Sequence, residues 1–133
     1  MKEQIRFSAA LLRQTCSKSS KMLDWVEHIP IAISVCDKEG IIIQINATAA
    51  ETFTKYGGKE LIGKSIFDYH PEHCNAMIRK MLATGESHSY TISKAGKKKL
   101  IHQQPYLVDG EVAGVVEFSI VLPENMPHYE RQA

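Results

Sequence analysis

Apolar side chains in residues 2–27 return at alternating steps of four and three. Ile5, Ala9, Leu12, Cys16, Ser19, Leu23 and Val26 fall on one line, in a stretch without proline or glycine. That spacing predicts a helix with a heptad-like seam, thin because Ala9, Cys16 and Ser19 are small or polar. Such a helix either folds back on the rest of the chain as a lid or pairs with its own copy in a dimer. Pro30 ends the pattern, because the residue before a proline is pushed out of the α region.

The pattern then turns to strands. IAISVC (31–36) and IIIQIN (41–46) flank the turn Asp37-Lys38-Glu39-Gly40, and their β-branched residues predict a hairpin. ATAAETFTKY (47–56) predicts a short helix with Ala50, Phe53 and Tyr56 on one side, stopped by Gly57-Gly58. KELIG adds at most one turn. Cys74, Met77, Ile78, Met81 and Leu82 recur at helical spacing with Arg79 and Lys80 opposite, so residues 71–83 predict a longer helix, closed by Gly85. Three more strands are expected at 87–93, 99–108 and 112–122, with turns at Ala95-Gly96 and Asp109-Gly110. This order predicts an α+β domain, an antiparallel sheet of about five strands with its helices grouped on one face. The chain divides into an N-terminal helix (1–28), a domain (29–122) and a tail (123–133).

Composition narrows the function. A chain of 133 residues holds one core and is too short for two. A net charge of +1 gives no electrostatic case for nucleic acid or an anionic membrane. Lys97, Lys98 and Lys99, next to Gly96, read as a solvated hairpin end. No segment approaches the roughly twenty apolar residues of a membrane span, and Arg6, Ser8 and Arg13 break the N-terminal apolar run. The three cysteines, Cys16, Cys36 and Cys74, form no CxxC pair. They suit a reducing cytoplasm rather than a disulfide framework, and a cytoplasmic protein is expected.

Residues 35–68, VCDKEGIIIQINATAAETFTKYGGKELIGKSIFD, resemble the first half of a PAS domain. The resemblance lies in the acidic-glycine turn of Asp37 and Gly40, in Asn46-Ala47 opening a helix, in Tyr56-Gly57, and in the box Glu60-Leu61-Ile62-Gly63-Lys64. DGEVAGVVEFSIVL is similar to the last PAS strand, so the likeness runs over residues 29–122. The residues agree with it physically: Asn46 can cap orphan N–H groups where strand hands over to helix, and Gly63 follows a very short turn where positive φ is useful. The resemblance implies a five-stranded sheet and a few helices enclosing a pocket, in a sensory or interaction module whose state passes through flanking helices. PAS domains are usually attached to an output domain. Only residues 123–133 follow Leu122, so a single module signalling through its own homodimer or a separate signalling protein is expected.

FDYHPEHC (67–74) is the segment richest in candidate chemistry. Pro71 suits the first helical position, His70 the cap and Glu72 the first turn, where a carboxylate favours the helix dipole. In haem-binding PAS members a histidine from this region ligates iron. The resemblance therefore offers His70 or His73 as a haem ligand, with Met77 and Met81 one and two turns beyond, in a haem-based gas or redox sensor. Zinc is disfavoured, because adjacent His73 and Cys74 point about 100° apart on a helix. Nothing resembles the reactive-cysteine motif of flavin light sensors, and no catalytic motif is present, so no enzyme is expected.

There remains a pocket for a small organic molecule. Strand alternation groups Tyr90 with His88 and Ile92, His102 with Leu100 and Gln104, and Phe118 with Val116 and Ile120. With those faces inward, Phe53, His70, His73, Met77, Met81, Tyr90, His102 and Phe118 line an apolar cavity with a few polar handles. Alternation with Ser119 places Glu117 on the outer face. A filled core, making the chain a purely structural dimerisation domain, is the competing reading.

Overall fold

A computed structural model describes residues 22–133. The seam positions Ile5, Ala9, Leu12, Cys16 and Ser19 lie outside the described residues. The last seam residue falls in α1 (Asp24–His28), with Leu23 as its N-cap; Leu23 and Trp25 are exposed.

Five strands form one antiparallel sheet in the order β2-β1-β5-β4-β3. They are β1 (Ala32–Asp37), β2 (Ile42–Ile45), β3 (His88–Lys94), β4 (Lys97–Val108) and β5 (Glu111–Val121). Helix α2 (Ala47–Thr52), three 3-10 turns (Thr54–Tyr56, Gly58–Leu61, Ile66–Tyr69) and helix α3 (Glu72–Thr84) connect β2 to β3. From β1 onward the predicted α+β order holds element by element. No helix among the described residues is long and apolar enough to cross a membrane.

Turn chemistry fixes the hairpins. Asp37 Oδ1 accepts from the N–H groups of Glu39 and Ile41, both at 2.9 Å, which closes the β1–β2 turn. Gly40 lies against the Phe67 ring with φ +81°, so a Cβ there would collide with that ring. Ala95 and Gly96 (φ 52° and 75°), like Asp109 and Gly110 (φ 52° and 80°), both adopt left-handed backbone. That is the type I′ geometry whose twist matches the flanking strands. Gly63 has φ +93°, as its turn requires.

Asn46 holds the first third of the domain together. Fully buried, it caps α2 by accepting from Ala49 N–H at 3.0 Å and accepts from Ile33 N–H of β1 at 3.0 Å. Its amide donates to the carbonyls of Val26 (2.9 Å) and Ile31 (2.8 Å). All four of its hydrogen-bonding positions are filled.

Two apolar clusters lie on one side of the sheet. Ala32, Ile42, Ile45, Ala49 and Leu61 form one, and Cys36, Ile78, Met81 and Val115 the other; Ile66 touches both.

One expected cap shifts by a residue. Pro71 itself, at ψ 159°, is the N-cap of α3, and its carbonyl accepts from the N–H groups of Cys74 and Asn75. His70 precedes it in extended backbone.

Candidate functional site

Register determines which strand residues face the helices. Ser34 of β1 sits opposite Glu117 of β5, Glu117 opposite Gln103 of β4, and Gln103 opposite His88 of β3. These four make a polar row across the inner face. Beside it on the same face run Ala32, Cys36, Val115 and Ile101, all buried.

Between that face and the helices lies a cavity of about 120 Å³. The sheet contributes Ser34, Cys36, Ile42, Ile45, Gln103, Val115 and Glu117 to its wall. Phe53, Tyr56, Leu61, Ile66 and Tyr69 close it from the connecting turns, and Ile78 and Met81 from α3. A second hollow of about 210 Å³, lined by Thr52, Tyr90, Ile92, Lys94, Lys99 and Ile101 among others, adjoins it. The two share Ser34, Phe53, His70 and Glu117 and so form one cleft, apolar inside with lysines towards its outer part.

Polar groups in the cleft are held in place by their neighbours. Gln103 Nε2 donates to Glu117 Oε2 at 2.8 Å, which fixes the amide orientation and leaves its oxygen as an acceptor. His70 Nδ1 lies 2.9 Å from the Ile66 carbonyl. A carbonyl only accepts, so Nδ1 carries the proton and Nε2 is an acceptor in the neutral ring. The buried Asn75 donates to the Phe67 carbonyl at 2.9 Å, which pins the 3-10 turn before His70 onto α3. The aromatic pair Tyr56–Tyr69, edge to face at 5.6 Å, stands on the cleft wall. Burial pushes the Cys36 thiol above its ordinary range, and burial followed by the Glu117 charge does the same to the Tyr90 phenol.

The predicted lining residues separate into two groups. Phe53, His70 and Met81 line the main cavity, and Tyr90 the adjoining hollow. His102 and Phe118 do not: the row of Gln103 and Glu117 faces the cleft, so their chain neighbours point to the opposite face. There His102 pairs with Ser89 Oγ at 2.6 Å and Gln104 Oε1 at 3.1 Å. Glu117, expected outside, is inside. His73 is exposed on α3, and Met77 lines another hollow of about 240 Å³ with Lys80, Met81 and Glu86, so neither lines the cleft. Sequence reasoning missed Ser34, Cys36, Ile78, Gln103 and Val115. The available signal was Glu117 itself, an acid inside an apolar strand.

Of the two histidines offered as haem ligands, His70 borders the cleft and His73, exposed on α3, does not. Nor do three His, Cys, Asp or Glu side chains gather as a metal-holding group among the described residues.

Residues 26–124 match the family model of the PAS fold. No curated protein matches the chain. Solved structures with the same fold include a C-terminal domain from Streptococcus mutans, at 18% identity and TM-score 0.60 over 72% of this chain and 78% of that one. VqmA of Vibrio cholerae bound to DPO is similar at 14% identity and TM-score 0.60, over 74% of this chain and 55% of VqmA. The Aer2 receptor of Vibrio cholerae, described as a dual PAS-heme oxygen sensor, is similar at 19% identity and TM-score 0.55, over 70% of this chain and 95% of that one. At such identities the likeness is one of fold, and the chain spans about half the length of VqmA. With a matched family model, the sheet order and the cleft in agreement, the chain belongs to the PAS fold family.

Proposed function

We propose that this chain is a sensory module that binds a small organic molecule in the cleft between the inner sheet face and α3, without catalysis. The carrying observation is the cavity of about 120 Å³ with apolar walls and a few oriented polar groups. Two of the similar structures, by their descriptions, concern a protein bound to a small ligand and a haem sensor, which supports a binding role. Occupancy is passed on through residues 1–28 to a second copy of the chain or to a separate signalling protein. The bond from Asn46 to the Val26 carbonyl of α1 supports that route, because Asn46 also grips β1, whose Ser34 and Cys36 line the cleft. The unpaired Cys36 and Cys74 suit a reducing compartment such as the cytoplasm.

The test is a thermal-shift screen of small organic compounds, repeated on Ile78→Trp, which fills the cavity. A saturable rise in Tm in the parent that Ile78→Trp abolishes, with its circular dichroism unchanged, is expected. A hit that raises both proteins equally would place binding elsewhere. If no compound gives a saturable rise, the ligand-binding reading fails and a structural dimerisation domain takes its place, which the oligomeric state in solution then tests.

A further inference from the structure

Glu117 stands out in the cleft. The ion pairs among the described residues join Lys59 to Glu27, Arg79 to Glu72 and His128 to Glu130, and none includes Glu117. Its side-chain partner is the neutral amide of Gln103. A carboxylate against apolar walls is costly unless a cation or several donors meet it. Around it the chain supplies further acceptors. Gln103 keeps its amide oxygen and one N–H once the other N–H is committed to Glu117, and His70 Nε2 remains an acceptor once Nδ1 is committed to Ile66. Gln103 lines the main cavity, and His70 and Glu117 line both hollows. An anion at the inner end would meet a Glu117 carboxylate that no ion pair among the described residues neutralises, since Lys94 and Lys99 line only the adjoining hollow. A donor would find Glu117, Gln103 and His70 together, with Phe53 and Met81 to cover its apolar part.

We infer that the cleft selects a small cationic or N–H-rich molecule, an amine, amidine or amino-heterocycle carrying a compact apolar group, with Glu117 as the recognition residue. This rests on the cleft being the ligand site. The ammonium or amidinium donates to the free oxygen of Glu117 while the apolar part lies against Phe53 and Met81. Lys94 and Lys99, in the outer hollow, leave the inner end to set the charge preference.

The test uses probes matched in shape: benzylamine and benzamidine as cations, benzoate as anion and benzyl alcohol as neutral control. Affinity for the full chain is read by ligand-observed NMR or calorimetry. The two cations should bind at least about tenfold more tightly than benzoate and benzyl alcohol, and Glu117→Gln should remove about tenfold or more of that affinity, the usual range for a hydrogen bond to a charged group. The comparison among probes on the unaltered protein does not depend on how any variant folds. Benzoate or benzyl alcohol binding as well as benzylamine, with binding lost in Ile78→Trp, would overturn the charge preference and keep the cleft as a site. Cation binding unaffected by Glu117→Gln would overturn the assignment of Glu117. Failure of all four probes, together with an unproductive broader screen, would overturn both readings.

Discussion

Replacing Asn46 tests the physical account of the fold most directly. The side chain makes four hydrogen bonds from a fully buried position: two from the N–H groups of Ile33 and Ala49, and two to the carbonyls of Val26 and Ile31. Asn46→Ala leaves four backbone groups without that partner. A buried group left unsatisfied costs about 1–3 kcal/mol, but losses in one network do not add and water recovers part of them, so about 3–5 kcal/mol is expected. That is a large share of the roughly 5–15 kcal/mol of a small domain. Asn46→Asp separates the terms. It keeps the acceptor for Ile33 and Ala49 and sets an oxygen against the carbonyls of Val26 and Ile31. The introduced carboxyl is buried and faces acceptors, so its folded pKa rises above the unfolded value. A raised carboxyl pKa makes folding most favourable below the unfolded pKa and progressively less so as pH climbs to the folded one. Asn46→Asp should therefore close part of its gap to the parent as pH is lowered from 7 to 5. Urea unfolding followed by circular dichroism at both values gives the differences, provided the slope stays constant. A cost below about 1 kcal/mol for Asn46→Ala, or a gap for Asn46→Asp that widens on acidification, would refute the account.

Gly114 lies under the Tyr106 ring and beside the Cys36 carbonyl, and an added Cβ would collide with both. Because one obstacle is backbone, Gly114→Ala should cost about 2–4 kcal/mol in urea unfolding, whereas an unchanged midpoint would mean the strands separate easily there. Ala95 holds left-handed backbone at φ 52° in a type I′ turn. Ala95→Asn should stabilise by about 0.5–1 kcal/mol, seen as a higher Tm, and a lower one would count against that geometry. Burial is the leading cause that raises the acids Cys36, Tyr90 and Tyr106 above their ordinary 9.0, 10.0 and 10.0. Unfolding then releases protons at alkaline pH, so this stability is intact below pH 9 and lost as pH climbs through the raised values. Tm measured from pH 8 to 11 should fall, and less steeply in Cys36→Ala; a flat profile would disprove it.

The fold was legible because its signals are local. The turn residues Asp37, Gly40, Gly96 and Gly110 and the capping bond of Asn46 to Ala49 act within a few residues, and each occupies the predicted place, while the bonds of Asn46 to Val26, Ile31 and Ile33 are long-range. The faces of the sheet were not legible. On β5, Glu117 and Ser119 face the cleft while Val116, Phe118 and Ile120 share the other side, so the strand alternates clearly but its polar side is the inner one. By ordinary burial preference Phe118, the largest side chain of the strand, faces a core and a carboxylate such as Glu117 faces water, and here both are reversed with respect to the cleft. His73 and Met77 failed for a related reason. The apolar stripe of α3 that meets the sheet runs through Ile78 and Met81, which leaves the histidine on the solvent side.

Glu117 and the cleft bring stability and binding into opposition. If the carboxylate is kept for a ligand, it costs the ligand-free protein stability, as functional groups in apolar surroundings commonly do. Glu117→Gln retains an oxygen to accept from Gln103 and removes the charge, so the ligand-free variant should melt higher than the parent. A gain of about 1 kcal/mol corresponds to about 4–8 °C for a domain near this size. Glu111→Gln, at an exposed strand end, should change little by comparison. Benzylamine should reverse the order, because binding to the native state raises the Tm of whichever protein holds the charge. A ligand-free Glu117→Gln that melts well below the parent would show the carboxylate to be part of the framework, and the row it forms with Ser34 and Gln103 would then be a structural seam rather than a recognition surface.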